Sequence, residues 1–279
     1  MITCAAVDQN VIRYHYDLST VFYRLMWGRH IHHGLWEADE SPEVAQLQLT
    51  QMLAAKAGIR AGDRVADVGC GMGGSSIYLA RQGCHVDGIT ISPFQRRWAS
   101  TAARWHGVSN QTKFHCADAE KFELPAGSLD VVWSIECTEH LFDKGAFFRR
   151  VSEWLKPGGR VAICAWLAGP QLHDHHEDRQ RVQQVHDVCE GFYCPSLGTM
   201  HDYADWMTAA GLQVEHTADL TSQVTRTWEI CQRRVRWSGV RWMTPLVDRT
   251  TGMFLDRFQT ILDAYRSGAM QYGCLVARK

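Results

Sequence analysis

Apolar positions in this chain keep two rhythms, and the middle of the sequence alternates between them. Short apolar runs at Arg64–Val68, Cys84–Ile91, Thr112–Cys116, Leu129–Ile135 and Arg160–Trp166 read as strands. Between them, Ser76–Gln82, Phe94–His106 and Phe147–Leu155 carry apolar residues at helical spacing. They close on Gly83, on Gly107 and on the turn Lys156-Pro157-Gly158-Gly159. Strands alternating with helices predict an α/β fold with a parallel sheet covered on both faces. Upstream, Val44, Leu47, Leu49, Met52 and Leu53 predict a helix over Pro42–Ala57, stopped by Gly58. Downstream of Gly169-Pro170 the stretch His173–Arg179 is polar and reads as an exposed connection. A helical pattern then resumes over Val182–Cys189, and Gln213–His216 and Met270–Ala277 are closing strands. Three segments follow: residues 1–50 as a helical lid, 51–170 as a ligand-binding core, and 171–279 as a cap with the strands that complete the sheet.

Candidate chemistry gathers where predicted strands end. The first runs into Asp67-Val68-Gly69-Cys70-Gly71-Met72-Gly73, whose glycines allow a tight turn and a close approach to a ligand. The spacing Gly69-x-Gly71-x-Gly73 is not the dinucleotide fingerprint G-x-G-x-x-G, and with Asp67 it fits a nucleoside sulfonium better than a pyrophosphate. At the tip of the second strand, where an acidic residue usually accepts from ribose hydroxyls, stands Thr90, followed by Ile91 and, after Ser92-Pro93, by Gln95. Asp118 and Ala119 follow the third strand, where a carboxylate either accepts from an adenine amino group or caps a turn. The fourth strand delivers Glu136-Cys137-Thr138-Glu139-His140 to the sheet edge that holds ligands in such folds. Two carboxylates and an imidazole there are candidates for proton handling, although Glu139 could equally cap a helix.

The stretch Tyr14–Trp36 is too aromatic for a disordered tail and reads either as core-packing helices or as a lid with Tyr16 and His32-His33-Gly34 at its edge. No metal is expected, because His30, His32 and His33 have no acidic or thiol partner at a recognised interval. A formal charge of −1 predicts no affinity for nucleic acid or an anionic membrane and points to a small-molecule partner. No apolar run approaches the ~20 residues that span a bilayer, and no basic-then-apolar leader opens the chain, so a cytoplasmic location is expected. The 10 scattered cysteines lack any C-x-x-C pair and read as free thiols. The 11 tryptophans exceed ordinary needs and suit a large apolar pocket as well as a core. A homodimer is left open.

Assembled, Val65–Gly73, Ala117-Asp118-Ala119 and Leu155-Lys156-Pro157-Gly158-Gly159 resemble the cofactor loop, adenine segment and pre-strand turn of class I S-adenosylmethionine-dependent methyltransferases. The narrower likeness is to the gamma-tocopherol methyltransferase branch, with its sterol C-methyltransferase and cyclopropane fatty-acid synthase relatives. It is carried by Tyr16-Asp17 through Trp27-Gly28-x-His30-x-His32-His33-Gly34, by Gly88–Pro93, by Ser134-Ile135-Glu136-x-x-Glu139-His140 and by Phe192-Tyr193-Cys194-Pro195. The resemblance implies a doubly wound, Rossmann-like, seven-stranded, mostly parallel sheet with an N-terminal helical lid and an inserted cap. It implies that S-adenosylmethionine is held by Asp67, Gly69, Gly71, Gly73, Thr90, Ile91, Gln95, Asp118, Ala119 and Glu136. Glu136, Glu139, His140 and Tyr16 become the expected catalytic groups, and Trp27, His32, His33, Tyr193 and Trp206 the expected acceptor pocket. The implied reaction is C-methylation of a small, largely apolar prenylated, phenolic or isoprenoid acceptor. N-methylation of a small amine and cofactor binding without catalysis are the alternatives.

Overall fold

A computed structural model describes residues 1–4, 7, 31–173, 178–237 and 249–279, with the backbone alone described at 235–237 and 249–256. Strand β1 (Ile2–Thr3) pairs antiparallel with β7 (Ser196–Leu197) in a small ribbon. Helix α1 (Pro42–Ala57) starts on Ser41, whose side chain accepts from Val44 N–H, and stops on Gly58 at φ 59°. Then come β2 (Arg64–Val68), α2 (Gly74–Arg81), β3 (His85–Thr90), α3 (Pro93–Trp105), β4 (Thr112–Cys116), β5 (Leu129–Ile135), α4 (Lys144–Trp154) and β6 (Leu155–Ala168). After β6 follow α5 (Arg179–Phe192), β7, α6 (Met200–Ala209), β8 (Gln213–Asp219), α7 (Thr221–Val224), α8 (Arg226–Trp237), α9 (Arg249–Ser267) and β9 (Met270–Arg278).

The large sheet has seven strands in the order β4-β3-β2-β5-β6-β9-β8, and β9 alone runs against its neighbours. The expected seven-stranded, mostly parallel sheet with surrounding helices is therefore present. One local difference concerns Lys156–Gly159, expected as a turn before the fifth strand: β6 already begins at Leu155, and these residues form an irregularity where the β5 pairing shifts register. Gly158, at φ 77°, permits it, and Lys156 is tied back to Asp130 by Nζ–carboxylate contacts of 2.7 and 2.8 Å.

Side-chain alternation along the strands divides the apolar interior in two. On one face Val65, Val131, Trp133 and Cys164 pack with Leu49 and Leu53 of α1 and with Val188, Trp228 and Ile261 of α5, α8 and α9. On the other, Ala66, Val132 and Val161 pack with Phe147 and Val151 of α4 and Tyr203 and Met207 of α6. Between β2 and β5 the order of winding reverses, and such a reversal opens a crevice beyond the carboxyl ends of the strands. Val68 and Ile135 end there, which puts the glycine loop and Glu136 side by side. All ten cysteines are free, as expected. No helix among the described residues is long and apolar enough to cross a membrane.

Candidate active site

The glycine loop forms one side of the crevice out of backbone. Gly69 and Cys70 both donate N–H to Ile89 O at 2.9 Å, which fixes the loop to the end of β3. Gly69, at φ 79°, has the Cys137 side chain where a Cβ would stand, so only glycine fits. Gly73, at φ 83°, opens α2 without any side-chain cap, leaving the first-turn N–H groups to a ligand. Beneath the loop, Asp67 is buried with Ser76 Oγ donating to Oδ2 at 2.5 Å. Burial outweighs that hydrogen bond and pushes the carboxyl up to about 7. A small pocket here is lined by Asp67, Gly69–Met72, Gly74, Ser75 and His32.

A larger cleft joins it, of about 800 Å³ with its mouth included, within the roughly 300–1,000 Å³ usual for small-molecule sites. Gly69, Gly71, Thr90, Ile91, Gln95, Asp118, Ala119 and Glu136, eight of the expected cofactor residues, all line it. Thr90 Oγ1 donates to Gln95 Oε1 at 2.8 Å, so these two residues form one polar unit at the β3 tip. Asp118 also holds its own turn, Oδ1 accepting from Glu120 N–H at 2.9 Å and Oδ2 pairing with Lys121 at 3.1 Å. Glu120 Oε1 accepts from the N–H groups of Phe142 and Asp143, joining this wall to the start of α4. An amino-acid head suits the Asp67 pocket, a ribose the Thr90–Gln95 pair and a nucleobase the Ala117–Ala119 wall. The donor set therefore fits S-adenosylmethionine.

The other side of the cleft is made of side chains. Glu136 has φ 53°, a conformation that costs a non-glycine residue on the order of 1–3 kcal/mol and marks functional sites. Its Oε1 accepts from His33 N–H at 2.7 Å, from His33 Nδ1 at 2.9 Å and from Tyr272 OH at 2.8 Å. Burial opposes the charge, but His33, through ring and backbone, and His32 override it and hold the carboxyl down at about 2. Trp228 Nε1–H donates to His33 Nε2 at 2.5 Å, and Tyr265 OH lies 3.4 Å from the same nitrogen. An indole nitrogen can only donate, which assigns the His33 hydrogen to Nδ1 and aims it at Glu136. The rings of Trp166, Trp228, Tyr265 and Tyr272 surround His33 at 4.8–6.0 Å. His140 also lines the cleft; its Nδ1 lies 3.1 Å from Tyr193 O, which assigns the lone pair to Nε2. Burial lowers its pKa to about 4.

Several expected residues stand elsewhere. Glu139 is 1% exposed and does not line the cleft: the short 3-10 turn Thr138–His140 points it back into the protein. Burial first, and the Glu136 charge second, push its carboxyl up to about 8 against the pull of Lys144 and the backbone of Glu139 and Trp166. Trp206 packs on Tyr203, Gly145 and Gly198 at the α4–α6 face, because one turn of α6 sets it beside Tyr203. Tyr193, at φ 57°, caps α5, and its carbonyl rather than its ring serves the site by holding His140. His33 lies behind Glu136, and His32 faces the Asp67 pocket with Nδ1 2.7 Å from His33 O. Tyr16, Trp27 and His30 lie outside the described residues. Tyr272, Trp228 and Tyr265, by contrast, carry no local motif; Tyr272 reaches the site through its β6 partner, Trp166. Among the described residues one group could hold a metal, His173, His201 and Asp205, and none of the three lines the cleft.

The family model for mycolic acid cyclopropane synthetase matches residues 5–272. Tocopherol O-methyltransferase from Arabidopsis thaliana is 28% identical over 95% of this chain and 80% of its own length. The 27-O-demethylrifamycin SV methyltransferase of Amycolatopsis mediterranei is 33% identical over 81% of each chain. Among solved structures, the cyclopropane synthase MmaA2 from Mycobacterium tuberculosis superposes with a TM-score of 0.85, 18% identity, and coverage of 99% of this chain and 100% of that one.

Proposed function

The chain belongs to the mycolic acid cyclopropane synthetase family and is an S-adenosylmethionine-dependent methyltransferase of class I; on that premise we propose that it methylates carbon in a small, apolar phenolic or isoprenoid acceptor. One observation carries the reading: a largely enclosed carboxylate, Glu136, kept charged by three donors in the same cleft as the expected cofactor residues. Bound cofactor supplies an electrophilic methyl on sulfonium. Asp67 would hold its ammonium, the Thr90–Gln95 pair its ribose, and the uncapped start of α2 its carboxylate. Ile31, Ile135 and Leu141, the apolar residues that share the cleft with Glu136 and His140, exclude water and align an apolar acceptor, the largest contribution such a site makes, while Ile89 and Ile91 flank the ribose position. Transfer would break the methyl–sulfur bond, leave its electron pair on sulfur as S-adenosylhomocysteine, and pass the positive charge to the acceptor. Glu136 stabilises that charge, and Glu136 or His140 Nε2 then takes the proton released. Glu139 has no direct part in this reading. Residues 171–279 act on the site through Trp228 and Tyr265, which contact His33, and Tyr272, which donates to Glu136, without lining the cleft themselves.

Transfer to a phenolic oxygen is the second reading, favoured by the names of the two curated relatives. It would use Glu136 or His140 to take the hydroxyl proton. The test is transfer of a radiolabelled methyl to prenylated phenols, sterols, isoprenoid diphosphates and aromatic amines, with the methylated atom located by NMR. Label on carbon supports the first reading, on oxygen the second, and on nitrogen overturns both. Glu136→Gln should lower kcat by about 100-fold or more while cofactor affinity stays near wild type. Unchanged kcat would remove Glu136 from the mechanism.

A further inference from the structure

Helix α3 carries an exposed face that the cleft does not use. Trp105 is 88% exposed, Trp98 43% and Phe94 40%. With 3.6 residues per turn these three rings fall within about 40° of arc. They form one aromatic stripe along the helix, about 120° round from the buried Gln95, Ala99 and Ala103. Exposed Arg97 and Arg104 flank the stripe on one side, and neither has an acidic partner among the described residues. No Asp or Glu occurs anywhere on α3, and Arg81 adds a third cation by contacting His106, the cap at the Trp105 end. The stripe starts at the cleft: Phe94 precedes the cleft residue Gln95. Across the opening, Phe142, 44% exposed, follows the cleft residue Leu141.

We propose that α3 docks on an anionic lipid bilayer, with Phe94, Trp98 and Trp105 entering the interface and Arg97 and Arg104 meeting headgroup phosphates. Tryptophan is suited to that depth, having an apolar body and a polar N–H, and arginines beside an apolar stripe are the mark of helices that lie in the interface plane. The formal charge of −1 conceals this patch, because the 30 acidic residues that offset the 29 basic ones in the sum all lie outside α3. A second copy of the chain is a poorer occupant. An isologous contact with the two α3 helices antiparallel would bring Arg97 and Arg104 of each copy against the same residues of the other. Docking itself is independent of the acceptor; that the bilayer delivers an apolar acceptor to the cleft mouth rests on the function proposed above.

The test is co-sedimentation of the full chain with phosphatidylcholine vesicles and with vesicles in which a third of the lipid is phosphatidylglycerol. Partition should favour the anionic vesicles at least tenfold and weaken as salt is raised. Trp105→Ala and the pair Arg97→Glu with Arg104→Glu should each reduce it at least tenfold, with melting temperature and cofactor binding unchanged. Trp105→Phe should retain most of it. Absence of partition into anionic vesicles, or equal partition of wild type and the charge-reversed protein, overturns the proposal. So does a wild-type dimer that Trp105→Ala converts to monomer. None of these readouts involves methyl transfer, so failure of the acceptor reading is scored separately.

Discussion

The two sides of the cleft are built by opposite means. The glycine-loop side comes from one stretch, residues 67–76, and its shape is backbone: left-handed glycines, two N–H groups anchored to Ile89 O and an uncapped helix start. The Glu136 side comes from side chains brought from four distant parts of the chain, His33, Glu136, Trp228, and Tyr265 with Tyr272. A backbone site fails wholly when one residue is wrong, because a Cβ either fits or does not. A side-chain network loses its parts one at a time. The cofactor is common to the class while acceptors differ, and the division of labour follows that need.

Four changes would break or sharpen this contrast. The largest effect is expected from Gly69→Ala, which sets a Cβ into the Cys137 side chain at φ 79°. Cofactor affinity by calorimetry should fall by more than about 100-fold, a loss beyond 2.7 kcal/mol; a small loss would mean that the loop yields. Next, Tyr272→Phe removes one of three donors to Glu136 and should cost roughly tenfold in kcat, or about 1.4 kcal/mol, with cofactor affinity kept. Third, Glu139→Gln separates two carboxyls three residues apart. With its carboxyl raised to about 8, folded protein keeps on Glu139 a proton that the unfolded chain releases above about 4.5. Wild-type stability should therefore fall as pH rises from about 4.5 to 8, and the variant should be the more stable by a few kcal/mol at pH 8 and equal near pH 4.5. Glu136 has the opposite sign: its contribution is present above about 4.5 and lost as pH falls toward 2. Urea titrations across that range read both, and kcat of Glu139→Gln should stay within about threefold of wild type. The smallest effect on catalysis is expected from Trp206→Ala, which should lower the melting temperature and leave KM for acceptor unmoved; a raised KM would bring Trp206 back to the pocket.

Legibility in the sequence follows the same division. The βα alternation, the strand ends and the glycine loop were readable because each depends on neighbours in the chain, as Asp67 with Gly69, or Thr90 with Gln95. Glu136 was readable as a position, since the fourth strand had to end there. Its neighbour Glu139 was equally prominent in the motif yet turns inward, because a single 3-10 turn decides which residue of Cys137–His140 meets solvent. Tyr272 could not be found this way: its role depends on β9 pairing antiparallel with β6, opposite Trp166. Trp206 misled for a related reason, since tryptophan density signals burial without naming the face. The tryptophans at 98 and 105 were not expected at the surface at all.

The position of β9 also has a consequence for how the protein is made. It is the latest of the seven strands to be synthesised, yet it lies between β6 and β8. Until the ribosome has delivered it, a nascent chain presents the apolar β6 as an open edge and holds Glu136 without Tyr272. Pairing across that distance is slow to close. The half-made enzyme is thus both inert and adhesive, and a stalled or clipped chain lacking β9 should be a client for chaperones and proteases rather than a weak catalyst.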